Sequence, residues 1–324
     1  MQIKVWGARG SLPAPQPPEI LQKNFLNMID AFVTSGYKTK TDALHFLAQL
    51  PIQTTGGFGG NTLCIEVKSN QKQFIIDAGS GIRLLGYDLM RGPCNNGQGE
   101  VHIFFTHFHW DHLMGLPFFI PLFIPGNKIH VYAVQPELQD VFKILFKKPF
   151  FPVSLENLGA SIIYHSLQPR KAFSFPPFQI TPYLLDHPDP TWGYKIESGQ
   201  KTFSHCVDTE CIRTSRTELG ADLPLYQNVD LMLFDAQYTL FETLEKVNWG
   251  HAAASIGLDL AMRERIKKIL FLHHDPASSD EKIALAENEA RKYFKSQLKI
   301  ARRTDHTLFI PEWAFAYEGM CIDL

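Results

Sequence analysis

The sequence predicts an α/β fold in which layers of β-sheet lie between helices. Three observations lead there. Apolar runs of strand length recur along the whole chain; helical periodicity falls in separate blocks, densest in the last third; and many strand-like runs end in Gly, Asp or His. Strands are expected at 3–6, 64–68, 73–76, 101–105, 128–134 and 161–164. More are expected at 178–185, 192–197, 201–207, 231–234 and 269–272. The segments 64–76 and 192–207 read as hairpins turning at Ser69-Asn70 and Ser198-Gly199. Helices are expected at 136–148, 252–265 and 279–298. The last opens in "SSDEKIALAENEARKYF", a serine N-cap followed by early acids. "GLPFFIPLFIPG", broken by three prolines, reads as a pocket wall or packed loop. Residues 13–55 interrupt the pattern. Proline-rich "PAPQPPEI" leads into helical periodicity, a helical insertion that would serve as a lid or a dimer contact. The chain, 1–324, reads as one domain with this insertion inside it.

Composition removes several classes. Net charge is −2, whereas a general nucleic-acid binder is usually more basic. The five cysteines are odd in number and widely spaced, with no Cys-x-x-Cys. A disulfide framework is not expected, and a reducing compartment fits better. "MQIKVWGARG" enters a strand directly, without a basic segment and apolar core, so no signal peptide is expected. No apolar run reaches about 18 residues, so no membrane span is expected. The expected location is the cytoplasm.

The chemistry is concentrated in "THFHWDHLMG", which packs three histidines and an aspartate into residues 107–112, straight after the apolar run 101–105. Neutral imidazoles and carboxylates are ligands for first-row metals. His107 and His109, two apart on an extended loop, can point to one side, and Asp111 and His112 could serve a second ion. One loop is incomplete, because each ion needs about three protein ligands. Other strand ends supply them. His187 follows one strand in "YLLDHPDPTWGY", Asp208 the next in "TFSHCVDTE", and His273 and His274 another in "ILFLHHDP".

His-x-His-x-Asp-His after an apolar strand, then a later His, an Asp and a His, resembles the metallo-β-lactamase fold superfamily. The order of motifs spans nearly the whole chain. The resemblance implies a four-layer αβ/βα sandwich holding two divalent ions, zinc in the first place, with manganese or iron as alternatives. It implies one site of His107, His109 and His187 and another of Asp111, His112 and His273, with Asp208 bridging. His273 is preferred to His274 because it comes first off the apolar run 269–272, as the family pattern has it. His274 would then stand behind the site or face the pocket. "LMLFDAQYT", ending a strand in Asp235, and "NWGHAAASIGLDLAM", with His251 at a helix start, narrow the resemblance. They point to the branch of tRNA 3′-processing endonucleases and small phosphodiesterases, in which such a pair donates a proton. "VWGARGSLPAP", "GGNTLCIEV" and "IIDAGSGIRLLG" together resemble cyclic-phosphodiesterase-like members.

The implied reaction is hydrolysis of a cyclic nucleotide or another small phosphodiester. Two ions generate and hold a hydroxide, which Asp111 helps orient, and His251, set by Asp235, protonates the leaving alkoxide. Asp77 would orient a ligand histidine. Asn61, with the glycines at 56–60, would contact phosphate or belong to a tight turn under the site. Each of these residues alone has an ordinary reading: His187 as a capped histidine, Asp208 as a turn former, Asp235 and His251 as a structural pair. Arg9 reads as a buried tie for the first strand, and His102, His130, His165 and His205 as structural or surface. The first alternative is a tRNA 3′-end endonuclease. The 21-residue gap between His187 and Asp208 has no room for that family's usual tRNA-grasping arm, and the near-neutral charge also disfavours nucleic acid. The second alternative is an ester, thioester or lactam hydrolase. A homodimer is the expected assembly, and no membrane partner is expected.

Overall fold

The structure, a computed structural model, describes residues 1–304 and 309–324. The chain opens with β1 (Gln2–Gly7) and then α1 (Pro18–Thr34), α2 (Lys40–Gln49) and α3 (Ile52–Thr55). The segment 13–55 is helical, as its periodicity predicts, but broken. Gly36, at φ +75°, ends the first helix, and a reciprocal Thr39–Asp42 cap starts the second. Phe32 of α1 packs on Tyr37 and the buried Phe46, while Leu21, Phe25, Ile29 and Val33 face outward.

The rest of the first half supplies β2 (Cys64–Ser69), β3 (Lys72–Ile76), α4 (Ile82–Leu89), β4 (Glu100–Phe104), β5 (Lys128–Ala133), α5 (Leu138–Leu145) and β6 (Ser161–Ser166). The second half supplies β7 (Phe173–Phe175), β8 (Phe178–Leu184), β9 (Trp192–Ser198), β10 (Lys201–Cys206), α6 (Arg216–Leu219), β11 (Leu231–Asp235), α7 (Leu240–Glu245), α8 (Ala254–Glu264), β12 (Lys268–Leu272), α9 (Asp280–Thr304), β13 (Glu312–Phe315) and β14 (Cys321–Asp323). Among the described residues these form two sheets, ordered β14-β1-β2-β3-β4-β5-β6 and β13-β12-β11-β10-β9-β8-β7. Each sheet is antiparallel on one side and parallel on the other, the change falling at β3 in the first and at β10 in the second. Both predicted hairpins are present.

The sheets pack face to face over an apolar layer that includes Val5, Ile65, Phe74, Phe104, Ile180, Phe203, Leu233 and Leu270. Outside the first sheet lie α4, α5 and the packed 3-10 turns of "GLPFFIPLFIPG", with Leu116, Phe119 and Leu122 in the core. Outside the second lie α8 and α9, through residues such as Leu258, Ala261, Ile283 and Phe294. The result is the four-layer arrangement expected: helices, sheet, sheet, helices.

Some boundaries differ from the sequence expectation. The helix expected at 136–148 covers only Leu138–Leu145, because the position before Pro149 disfavours helix. The helix expected from 252 starts at Ala254, since the Ala252 carbonyl accepts Tyr238 N–H at 3.2 Å and Ala253 is extended in a bridge to Tyr238. Ser279 Oγ accepts the Lys282 N–H, as an N-cap should, but the helix runs on to Thr304. The short β7, β13 and β14, and the helix α4, were not legible as elements.

Candidate functional site

The site lies where strands of both sheets end together, and most of its residues come just after a strand. Asp77 follows β3, the loop 106–112 follows β4, His187 follows β8, Asp208 follows β10, Asp235 ends β11 and His273 follows β12. Parallel strands send their C-terminal ends to one edge of a sheet, so residues far apart in sequence meet there. Three of these residues leave their strands in the left-handed region: Asp77 at φ +61°, Asp208 at +62° and His273 at +69°. Non-glycine residues rarely adopt it, and here the surrounding hydrogen bonds hold them in it.

Three groups result among the described residues, the third overlapping the second and joining Asp208 and His273 to Asp235 and His251. In the first, single ring nitrogens of His107, His109 and His187 lie within 4.8 Å of one another. In the second, single donor atoms of Asp111, His112, Asp208 and His273 do the same. Each histidine but His273 has one ring nitrogen hydrogen-bonded outside its cluster. His107 Nδ1 is 3.1 Å from Thr106 Oγ1, and His187 Nδ1 is 3.1 Å from both Thr191 Oγ1 and the Asp189 carbonyl. His109 Nε2 is 2.7 Å from Asp189 Oδ2. His112 Nδ1 is 2.9 Å from Asp77 Oδ2, whereas His273 Nδ1 lies 3.4 Å from Asp235 Oδ2 without a hydrogen bond. Pinning one nitrogen fixes the ring and its tautomer and leaves the other for a ligand.

The free atoms converge. His112 Nε2 is 3.0 Å from Asp208 Oδ2 and 3.3 Å from Asp111 Oδ2; His273 Nε2 is 3.2 Å from Asp111 Oδ2 and 3.5 Å from Asp208 Oδ1. His107 Nε2, His112 Nε2 and Asp208 Oδ2 are buried without a hydrogen bond. Orphaned buried donors and acceptors of this kind are what a metal ion satisfies. Electrostatics agree. Burial works against the charged form of His112 and His273, yet the Asp208 and Asp111 carboxylates overcome it. They hold His112 well above its ordinary value and push His273 up to about 10. Burial likewise opposes ionisation of Asp111 and Asp208, and the neighbouring imidazoles nevertheless hold both far below the usual carboxylate range. His107, by contrast, is pushed down by burial and then by His112, which keeps it the neutral ligand form. The donor set therefore fits divalent cations, which satisfy both carboxylates while the imidazoles stay neutral.

The predicted residues fall as follows. Asp208 joins the second cluster, and its charge also acts on His107 and His187 of the first. His273 turns its ring into the cluster. His274 turns away, with Nε2 2.8 Å from the Ala316 carbonyl and its ring against Phe58 and Phe315. Asp77 accepts Thr106 N–H at 2.9 Å and Thr106 Oγ1 at 2.8 Å besides facing His112, so it ties the loop as well as the ring. Asn61 lies in the glycine turn. Its amide donates to Glu318 Oε1 at 2.7 Å, and Glu318 Oε2 accepts the N–H groups of Gly60 and Asn61. That glycine-rich turn thus grips a carboxylate of the chain itself. Arg9, buried, donates to the carbonyls of Gly59, Asp275 and Ser278 and to Asp280. The next-but-one residue, Ser11, offers its N–H to Asp111 Oδ2 at 2.7 Å.

Asp235 and His251 meet beside the second cluster, Nδ1 to Oδ2 at 3.0 Å. Asp235 is a hub: Oδ2 also accepts Asp208 N–H at 3.2 Å, and Oδ1 accepts those of Gln237 and Ala252 at 3.1 and 3.0 Å. The His251 ring packs between His273, 5.0 Å away, and Tyr238, 5.5 Å away. The loop before it comes close to His187, so close that a Cβ on Gly250, itself at φ +86°, would sit 2.1 Å from His187 Cδ2. Gly250 N–H donates to Glu210 Oε1 at 2.9 Å. Sequence reasoning did not find Asp189, Glu210 or Thr106. Only Asp189 carried a signal, two residues past His187.

Residues 72–274, more than half of the chain, match the family model described as a beta-lactamase superfamily domain. The chain belongs to that family, as a metallo-β-lactamase-fold hydrolase, a fold that typically binds divalent metal ions. Its relatives include a protein named Ribonuclease Z from Staphylococcus carnosus, 25% identical over 251 residues, which are 72% of this chain and 74% of that one. Among solved structures, the metallo-beta-lactamase fold protein YhfI from Bacillus subtilis superposes with a TM-score of 0.62 at 16% identity, covering 99% of this chain and 98% of that one. Unliganded yeast PDE1 superposes at 0.61 with 13% identity, covering 100% and 99%. These two likenesses are of fold. Among the described residues, no helix is long and apolar enough to cross a membrane.

Proposed function

We propose that this chain is a phosphodiesterase that uses two divalent ions to hydrolyse a cyclic nucleotide or another small phosphodiester. The observation that carries the proposal is the Asp235–His251 pair, 3.0 Å apart and adjoining the second cluster. A thiolate leaves without a proton, whereas an expelled alkoxide calls for a dedicated acid of this kind. When bound, the two ions supply an activated water and neutralise charge on a phosphoryl oxygen. We assign the first to His107, His109 and His187, and the second to Asp111, His112 and His273, with Asp208 shared. Zinc suits this donor set, with manganese or iron as alternatives. Asp111 orients the attacking water, Asp235 fixes the His251 ring, and His251 hands a proton to the leaving oxygen. Trp110 and Trp249, exposed on the loops that carry His109 and His251, offer faces on which a base can stack.

A second reading is tRNA 3′-end cleavage, favoured by the Staphylococcus carnosus relative named Ribonuclease Z. Against it, the segment between His187 and Asp208 is spent on the β9–β10 hairpin, and the net charge is −2. The test is a turnover screen of the metal-loaded chain on cyclic nucleotides, a cyclic ribose phosphate, bis-p-nitrophenyl phosphate, precursor tRNA, a lactam and a thioester. The expected result is turnover of a small diester well above precursor tRNA. Faster cleavage of precursor tRNA would establish the second reading instead, and turnover confined to lactam or thioester would overturn both.

A further inference from the structure

The helix α1 is 17 residues long and none of its residues is buried. Asn24, Met28 and Phe32, spaced four apart, are half-buried against the rest of the chain, where Phe32 meets Tyr37 and Phe46. The next stripe round the helix, Leu21, Phe25, Ile29 and Val33, repeats at the same spacing, with Leu26 beside it. These five residues are 39% to 68% exposed. Single apolar side chains on a surface are ordinary. A continuous run along a whole helix is not, because the outward face of a surface helix is normally polar. At roughly 150–200 Å² for a whole side chain of this size, the stripe presents about 500 Å² of apolar surface. Two such stripes face to face would bury about 1,000 Å² before their polar edges are counted, which is what a specific interface needs.

We propose that this face is covered by α1 of a second copy of the chain, the two helices running antiparallel across a two-fold axis. The charges beside the stripe single out that occupant. Lys23 and Asp30 are both exposed on one flank of it, about two turns apart. A two-fold axis across the helix reverses its direction but keeps this flank on the same side in both copies. With Phe25 opposite the partner's Ile29, Lys23 stands within one residue, about 1.5 Å along the helix, of the partner's Asp30. Asp30 stands equally close to the partner's Lys23. A parallel pair would send the two flanks to opposite sides and lose both contacts. The helix is thus complementary to itself in charge as well as in apolar surface. A membrane matches it less well: helices that lie on a lipid surface carry a basic polar face, whereas α1 sets Glu19 and Asp30 against Lys23 alone. Of the two roles expected for the insertion 13–55, lid and dimer contact, this assigns the second.

The test is sedimentation equilibrium of the full chain over a range of concentrations. A dimer is expected, with a dissociation constant at or below about 10 µM. Ile29→Asp, which would bury an unpaired charge, should raise that constant at least about 100-fold. Should Ile29→Asp lose its native circular dichroism, Leu26→Glu takes its place and decides. Lys23→Asp and Asp30→Lys should each weaken the dimer about tenfold, and the two together should restore it to within about threefold of wild type. A chain still monomeric at about 100 µM would overturn the proposal. So would a dimer indifferent to the apolar variants. A double exchange that fails to restore the dimer would overturn the antiparallel pairing and with it the proposal. Binding of a monomeric chain to vesicles of phosphatidylcholine and phosphatidylglycerol would give the face to a membrane instead. No turnover is read, so the outcome is independent of the reaction assigned to the metal clusters.

Discussion

Replacing Asp235 with Asn changes one atom and should disturb three functions to different extents. In the wild type, Oδ2 faces His251 Nδ1 at 3.0 Å, Asp208 N–H at 3.2 Å and His273 Nδ1 at 3.4 Å, while Oδ1 holds two backbone N–H groups. An amide has one oxygen. Those two backbone donors are fixed, so the oxygen turns to them and the NH₂ faces the histidines. His251 can then no longer donate from Nδ1 while donating from Nε2, and general acid catalysis, typically worth ~10²–10⁴-fold, is lost. Through His273 the ions should bind ~10–100-fold more weakly. Leaving buried donors unpaired should cost roughly 3–5 kcal/mol of stability. Turnover of bis-p-nitrophenyl phosphate at saturating metal isolates the first effect, elemental analysis the second, and urea unfolding the third. A double-mutant cycle with His251→Ala sharpens it: if Asp235 acts on the reaction through His251, the double variant is no slower than His251→Ala. Turnover by Asp235→Asn within about twofold of wild type, or a double variant slowed by the full product of both factors, would refute the reasoning.

Two further outcomes are expected. Gly250→Ala places a methyl group 2.1 Å from His187 Cδ2 in a left-handed backbone position, so it should displace His187 and lower metal content by up to one ion per chain. Unchanged stoichiometry by elemental analysis would show that the loop yields instead. Burial, reinforced by His130, pushes His102 down to about 4 from an ordinary value near 6.5. The unfolded chain therefore takes up this proton first. This contribution to stability is complete above about pH 6.5 and is lost as pH falls toward 4, by about 1–2 kcal/mol from this partly screened ring. His102→Gln should flatten the fall in unfolding free energy between pH 7 and 4.5, and parallel slopes for variant and wild type would refute the assignment.

Most of the site residues anticipated from the sequence follow an apolar run that makes its own strand, although His251, in the loop before α8, does not. Periodicity locates the strand, and the strand end locates His107, Asp208 or His273 without knowledge of the partner. What was not legible depends on contacts between distant segments. Asp189 is recognisable as the partner of His109 only once β8 lies beside β4's loop, and Glu210 as the anchor of Gly250 only once two loops meet. Asn61 beside four glycines left a phosphate contact and a tight turn both open, and its partner is Glu318, 257 residues away. Likewise β13 and β14 are four and three residues long, too short for a period of two to register, although they provide edge strands of both sheets.

The left-handed conformations of Asp77, Asp208 and His273 tie catalytic competence to the health of the whole molecule. Such backbone states cost of order 1–3 kcal/mol each and persist only while packing enforces them. Native stability is itself only about 5–15 kcal/mol. A cavity opened in the layer between the sheets, at Phe104 or Leu233 for example, would draw on the same reserve. The strand ends should relax before the sheets come apart. Core variants remote from any ligand should thus lose activity at temperatures where their circular dichroism is still native. In a functional survey of this chain, a damaging substitution will often report a weakened scaffold, and a stabilising background will rescue it.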